Sequence, residues 1–198
     1  MWWDTVLMRS PEYSPAQQAQ LLDIACASIQ HGVQRGTPLL PDIDQMHAPL
    51  AAPRASFVSL HKRGELRGCI GSLQASKPLA EDVAYSAYQA AFRDPRFPPV
   101  DHLELATLDI EVSVLSPLEK LTVTDERELL AAIEPGVDGL VLEDPYRRAT
   151  FLPVVWQSVP SPSAFLQHLK AKGGWPPDYW ASDLCAYRYH TETFNRAA

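Results

Sequence analysis

Residues 54–94 constrain the fold more than any other stretch of the chain. Two alternating runs, Arg54–Leu60 with Phe57 and Val58 inside it and Leu66–Leu73, are broken at Arg63 and Gly64, which is the pattern of a β-hairpin. Pro78–Asp94 then reads as a helix, because Leu79, Val83, Ala87 and Ala90 or Ala91 recur on one face and the run stops where Asp94 meets Pro95. The small residues of that stripe allow the helix to approach a sheet closely.

The flanking segments fill in the rest. Ser14 followed by Pro15 is a helix start, and Leu21, Leu22, Ala25, Cys26, Ile29 and Val33 form its apolar stripe, with Gly32 or Gly36 available as a left-handed end. Residues 1–13 are read as an N-terminal tail. Between 37 and 53, Pro38, Pro41, Pro49 and Pro53 forbid regular structure of any length, so a long surface loop is expected, with one short turn near Asp42–His47. Such a loop is either a lid or partner contact, or an insertion without consequence. Strands are expected over Thr107–Ser116, Asp138–Glu143, Thr150–Val155 and Leu184–Phe194, and helices over Asp125–Ile133 and Ser163–Lys172. Helices interspersed with hairpins, without a regular βαβ alternation, imply an α+β fold: an antiparallel or mixed β-sheet with packed helices.

Composition narrows the functional classes. Over 198 residues, 46% are hydrophobic and 21% charged, values of an ordinary globular chain, enough for one domain or one domain with a smaller lobe. No stretch approaches the roughly 20 apolar residues needed to span a bilayer. Met1–Ser10 holds Asp4 and Arg9 where a leader would be apolar, so a cytoplasmic location is expected. Three widely spaced cysteines, Cys26, Cys69 and Cys185, suggest reduced thiols. A net charge of -7 opposes binding to nucleic-acid backbones or anionic lipid, so only a local basic patch would attract an anion. Arg54, Lys62, Arg63 and Arg67 are the candidates, suited to a single anionic ligand. No histidine pairs closely with another histidine or a cysteine at ligand spacing, and neither a phosphate-binding loop nor a nucleophile elbow nor a dinucleotide-binding turn is present, so no metal and no cofactor is expected.

Three short motifs occur in order: Leu66-Arg67-Gly68-Cys69-Ile70-Gly71, Ala90-Ala91-Phe92-Arg93-Asp94-Pro95-Arg96-Phe97 and Thr150-Phe151-Leu152-Pro153. Together they resemble the AMMECR family, named after the Alport syndrome, intellectual disability, midface hypoplasia and elliptocytosis chromosomal region, and the resemblance runs from the first helix to the last strand. It implies one AMMECR-type domain over residues 1–198, an α+β fold with antiparallel sheet and a smaller lobe, and no settled biochemical activity. Bacterial and archaeal members tend to be encoded beside a Memo-like protein and a radical S-adenosylmethionine enzyme, which implies a shared modification pathway with those partners. Many members carry an acidic or amide residue and then a valine after Phe-Leu-Pro, whereas Val154 and Val155 follow here, so a role for a carboxylate at that point does not carry over.

Cys69, between Gly68 and Gly71 and beside Arg67, is the candidate catalytic residue: absent side chains let a substrate approach the backbone, and a nearby cation favours thiolate. The competing reading buries it. With a two-residue turn at Arg63-Gly64, His61 pairs with Leu66 and Val58 with Cys69, which puts His61 and Cys69 on opposite faces. With a three-residue turn, Phe57 pairs with Cys69 and His61 shares its face but lies four residues on, about 13 Å at roughly 3.3 Å per residue. Neither register makes a Cys–His dyad, and His102, His168 and His190 cannot be placed from sequence. Gly68 and Gly71 fit ligand approach or tight packing on the alanine-rich helix. Arg67 could hold a carboxylate or phosphate, or pair with an acid such as Glu65. Arg96, in a segment stiffened by Pro95, Pro98 and Pro99, is either displayed for recognition or caps the preceding helix, with Phe97 plugging the core. Tyr85 and Tyr88 read as packing residues of the helix.

Two functional classes therefore stand: a component of a macromolecule-modification pathway centred on Cys69, and a noncatalytic partner-binding domain.

Overall fold

The structure, a computed structural model, describes residues 11–197. Residues 1–10, which bear on the leader and most of the expected tail, lie outside the described residues; Tyr13, at the tail's end, is buried. The chain divides into two compact units, one formed by the residues up to Val114 together with Glu192 onward, the other by Leu115–Thr191.

In the first unit, α1 (Pro15–Arg35) opens on a capping box: Gln17 donates its N–H to Ser14 Oγ while the Gln17 side chain accepts from the Ser14 N–H at 2.8 Å. It ends at Gly36, whose φ of 72° no β-carbon has to tolerate. Gly32 has a different duty, since a β-carbon there would strike the rings of Phe92 and Tyr88. The loop that follows holds a 3₁₀ turn at Ile43–Gln45 and a single helical turn, α2 (Ala48–Ala51), which buries Leu50.

The hairpin is β1 (Ser56–Lys62) and β2 (Glu65–Gly71), with α3 (Leu79–Phe92) packed on it and β3 (Leu108–Leu115) on the other side of β1. With β8 (Thr191–Arg196), the sheet order is β2-β1-β3-β8. Strand alternation sends Val58, Leu60, Ile110 and Val112 inward against Leu79, Val83, Ala87 and Ala90 of α3. Phe57, Ser59 and His61 lie on the opposite face.

The second unit carries β4 (Glu119–Leu121), α4 (Glu126–Ala132), β5 (Gly139–Glu143), β6 (Arg148–Phe151), α5 (Pro162–Gly173) and β7 (Cys185–Tyr189), with sheet order β4-β7-β5-β6. Asp125 caps α4 by accepting from the Glu128 N–H at 2.7 Å. The core is aromatic: Trp156 and Phe165 stack at 3.7 Å with planes 3° apart, and Phe151 meets Phe165 edge-on. Every pairing with a described register is antiparallel. The architecture is thus α+β, as the pattern of elements implies.

Two strand expectations are corrected. The strand expected over Thr150–Val155 stops at Phe151, because Pro153 has no N–H for a ladder and instead opens a 3₁₀ turn, Pro153–Gln157, that buries Trp156 with its Nε1 donating to the Asp138 carbonyl at 2.7 Å. The single alternating run Leu184–Phe194 is two strands in two sheets. At the break, His190 donates its N–H to Ser116 Oγ at 3.0 Å and accepts from the Ser116 N–H at 2.9 Å, so the main chain stays satisfied while it changes sheets. No helix among the described residues is long and apolar enough to cross a membrane.

Candidate functional site

The hairpin turns through Arg63 and Gly64 as expected, and His61 pairs with Leu66. Beyond that pair the register slips. Leu60 faces Gly68, Ser59 faces Cys69 and Val58 faces Ile70, which leaves Arg67 as the extra residue of a β-bulge. Both expected partners of Cys69, Val58 and Phe57, are therefore replaced by Ser59. The bulge lets two consecutive residues, Arg67 and Gly68, be buried, and it moves Cys69 onto the same face as Ser59 and His61. His61 shares that face as a diagonal neighbour of Cys69, at a separation typically about 7–8 Å.

Cys69 is half-buried, its Sγ 3.2 Å from the Ser59 hydroxyl, which donates to it. Its main chain is held from outside the sheet. β2 is an edge strand, and the Cys69 N–H that no strand accepts donates to Asp94 Oδ2 at 2.9 Å, while the Cys69 carbonyl accepts from Arg96 Nη2 at 3.3 Å. Asp94 in turn accepts from Arg96 through the backbone N–H, Nε and Nη2 at 3.1, 2.9 and 2.7 Å. The bonds from Arg96 hold the Asp94 carboxyl far below the usual carboxylate range, against the opposing effect of burial and with help from the Cys69 N–H. The Arg96 guanidinium is raised in turn by its bonds to Asp94. Arg96 thus caps a strand edge and not the helix end, since its bonds go to Asp94 and to the Cys69 carbonyl.

Arg67 pairs with Glu104, not with Glu65. Its Nε and Nη2 donate to the two Glu104 oxygens at 3.1 and 2.8 Å, and Lys62 Nζ adds a third contact at 2.7 Å. The Arg67 and Lys62 bonds pull the Glu104 carboxyl down to about 2. The Phe97 ring, half-buried, lies 6.0 Å from the Arg67 guanidinium carbon and 5.5 Å from that of Arg96. Arg54 leaves the patch altogether and pairs with Glu12. Gly68 and Gly71 have packing reasons: a β-carbon on Gly68 would land on the Ala90 carbonyl oxygen of α3, and one on Gly71 on the Ser56 carbonyl and Phe57. Tyr88 is buried with its hydroxyl donating to the Gly36 carbonyl at 2.6 Å, whereas Tyr85 is exposed under Lys77.

The first two sequence motifs, some 25 residues apart, therefore meet at one strand edge around Cys69. Comparison with known proteins gives the same grouping. The AMMECR1 family model matches residues 22–194. The chain belongs to the AMMECR1 family. A protein of Methanothermobacter thermautotrophicus is 36% identical over 193 residues, covering 93% of this chain and 98% of the relative, and one of Methanopyrus kandleri is 40% identical over 154 residues, covering 73% and 72%. Among solved structures, the uncharacterized protein PH0010 from Pyrococcus horikoshii matches with a TM-score of 0.81 at 32% identity, over 88% of this chain and 89% of that one.

Within this AMMECR1 fold, sequence reasoning singled out Cys69, Arg67 and Arg96 but missed Ser59, Asp94 and Glu104. Asp94 stood beside Arg96 in the motif; Ser59 and Glu104 carry no local signal, since one is set by a bulge and the other by a contact 37 residues away. Among the described residues, no group of three or more His, Cys, Asp or Glu is placed to hold a metal ion.

Proposed function

We propose that this protein is a component of a macromolecule-modification pathway in which the Cys69 thiol is the reacting group, acting in the cytoplasm with a Memo-like protein and a radical S-adenosylmethionine enzyme, its two units serving as one domain. The observation that carries this reading is the convergence of two motifs on one cysteine. Ser59 donates to the sulfur, and Asp94 and Arg96 hold the cysteine's main chain on both sides. A hydroxyl that donates to a half-buried sulfur is a contact that stabilises a thiolate, the nucleophilic form, while Arg96 bonds the main-chain carbonyl of the same residue. In the reaction such a centre supports, sulfur forms one bond to an electrophilic carbon, the leaving group departs with the electron pair of the bond it loses, and the thiol proton passes to solvent.

Iodoacetamide alkylation of Cys69, with Cys26 and Cys185 replaced, tests this. Cys69 in the folded protein is expected to react faster at neutral pH than in the denatured chain, and Ser59→Ala, which removes the donor to the sulfur, is expected to take away most of that advantage. Labelling that begins only on denaturation overturns the thiol centre.

A noncatalytic partner-binding role is the second reading. It is favoured by Leu39, Leu40 and Leu103, which are 45%, 49% and 73% exposed, and by the stiff segment Pro95–Pro99. A protein whose Cys69 stays unreactive and which is recovered from native extract with a stoichiometric partner fits this reading instead.

A further inference from the structure

We propose that the turn end of the β1–β2 hairpin is a binding site for an oxyanion, a phosphate or carboxylate group of a small ligand. The described residues Lys62, Arg63, Glu65, Leu66 and Arg67 line a solvent-open cavity of about 460 Å³, a size in the range of ordinary small-molecule sites. Three of these five residues are cations, in a chain whose net charge is -7. Uniform surface chemistry in an acidic protein does not lead to that local excess.

Arg67 carries the unmet hydrogen-bonding capacity of this cavity wall. It is 9% exposed, with Nε and Nη2 held by Glu104, yet its Nη1 is buried without a hydrogen-bond partner. Buried donors of this kind are rare, and a charged one left unpaired is costly, so a missing acceptor is the natural reading. Glu104 cannot supply it, because both of its oxygens are already used by Arg67 and one also accepts from Lys62. One carboxylate thus serves an ammonium and a guanidinium, which leaves an excess positive charge at the cavity wall. Arg63 adds to it. It occupies the first position of the turn with φ 55°, where asparagine or glycine is the usual occupant, and among the described residues it forms no ion pair or hydrogen bond. Glu65, exposed, is the one acidic residue among those lining the cavity.

A guanidinium with one unpartnered nitrogen, flanked by a lysine and an exposed arginine, suits a polyoxygen anion. The site does not depend on the Cys69 reading: it needs no thiol chemistry, and Cys69→Ser protein should bind as the native protein does.

Titration calorimetry of the full chain at low salt, with inorganic pyrophosphate and with citrate as probes, decides the matter. Binding of at least one probe is expected, weakened about tenfold in Arg63→Ala and in Lys62→Ala, the usual consequence of deleting one charge-assisted contact, and tightened in Glu65→Gln. Pyrophosphate alone binding assigns a phosphate group, and citrate alone a carboxylate. Unchanged thermal melting of Arg63→Ala, whose side chain is exposed, excludes misfolding as the cause. Absence of heat with both probes at millimolar concentration, or binding that Arg63→Ala and Lys62→Ala leave unchanged, overturns the proposal.

Discussion

Replacing Glu104 by glutamine isolates one electrostatic contribution. In the native protein the Glu104 carboxyl is about 2, against an ordinary value of 4.5, because Arg67 and Lys62 donate to it; its side chain is only 14% exposed. The folded value lies below the unfolded one, so this group stabilises the fold above pH 4.5 and loses that contribution as pH falls toward 2. A difference of roughly 2.5 units at about 1.36 kcal/mol each gives about 3 kcal/mol at neutral pH. Glu104→Gln removes the charge but keeps the shape, and leaves Arg67 with a neutral acceptor. Urea unfolding of both proteins between pH 7 and pH 2.5 should therefore show a gap of about 3 kcal/mol at pH 7 that closes as the pH approaches the folded value. Other acids, Asp94 included, titrate in both proteins and cancel in the difference. A gap that is below about 1 kcal/mol at neutral pH, the size of an exposed ion pair, rules out a strong Glu104 contribution. So does a gap that stays constant across the pH range.

Two further perturbations test packing. Gly68→Ala should destabilise the protein by about 2–3 kcal/mol, because the new methyl meets a backbone carbonyl of α3 that cannot rotate away; an unchanged urea midpoint would show that α3 is free to shift. Phe165→Ala should cost about 3–5 kcal/mol and alter the Trp156 fluorescence of the second unit, since the ring is fully buried and stacked on that indole; a loss near 1 kcal/mol would mean the site collapses around the missing ring.

The elements governed by local rules are legible in the sequence. Ser14-Pro15 opens α1 and Gly36 closes it because capping and left-handed geometry are properties of a few adjacent residues. The alanine stripe of α3, the turn at Arg63-Gly64 and the stop at Asp94-Pro95 follow from the same kind of information, and the three motifs sufficed for the family. Cys69 stood out as well. Its surroundings depend on long-range contacts. A one-residue bulge at Arg67 inverted the pairing of everything beyond it, since side chains alternate with period two, and so replaced Val58 or Phe57 by Ser59. The split of the last alternating run at His190 was equally invisible, because alternation records which face is buried and not which sheet a strand joins. Glu104 and Asp94 became partners of Arg67 and Cys69 through contacts of 37 and 25 residues' separation, a relation fixed by how α3 and the chain after it fold back over the edge of β2.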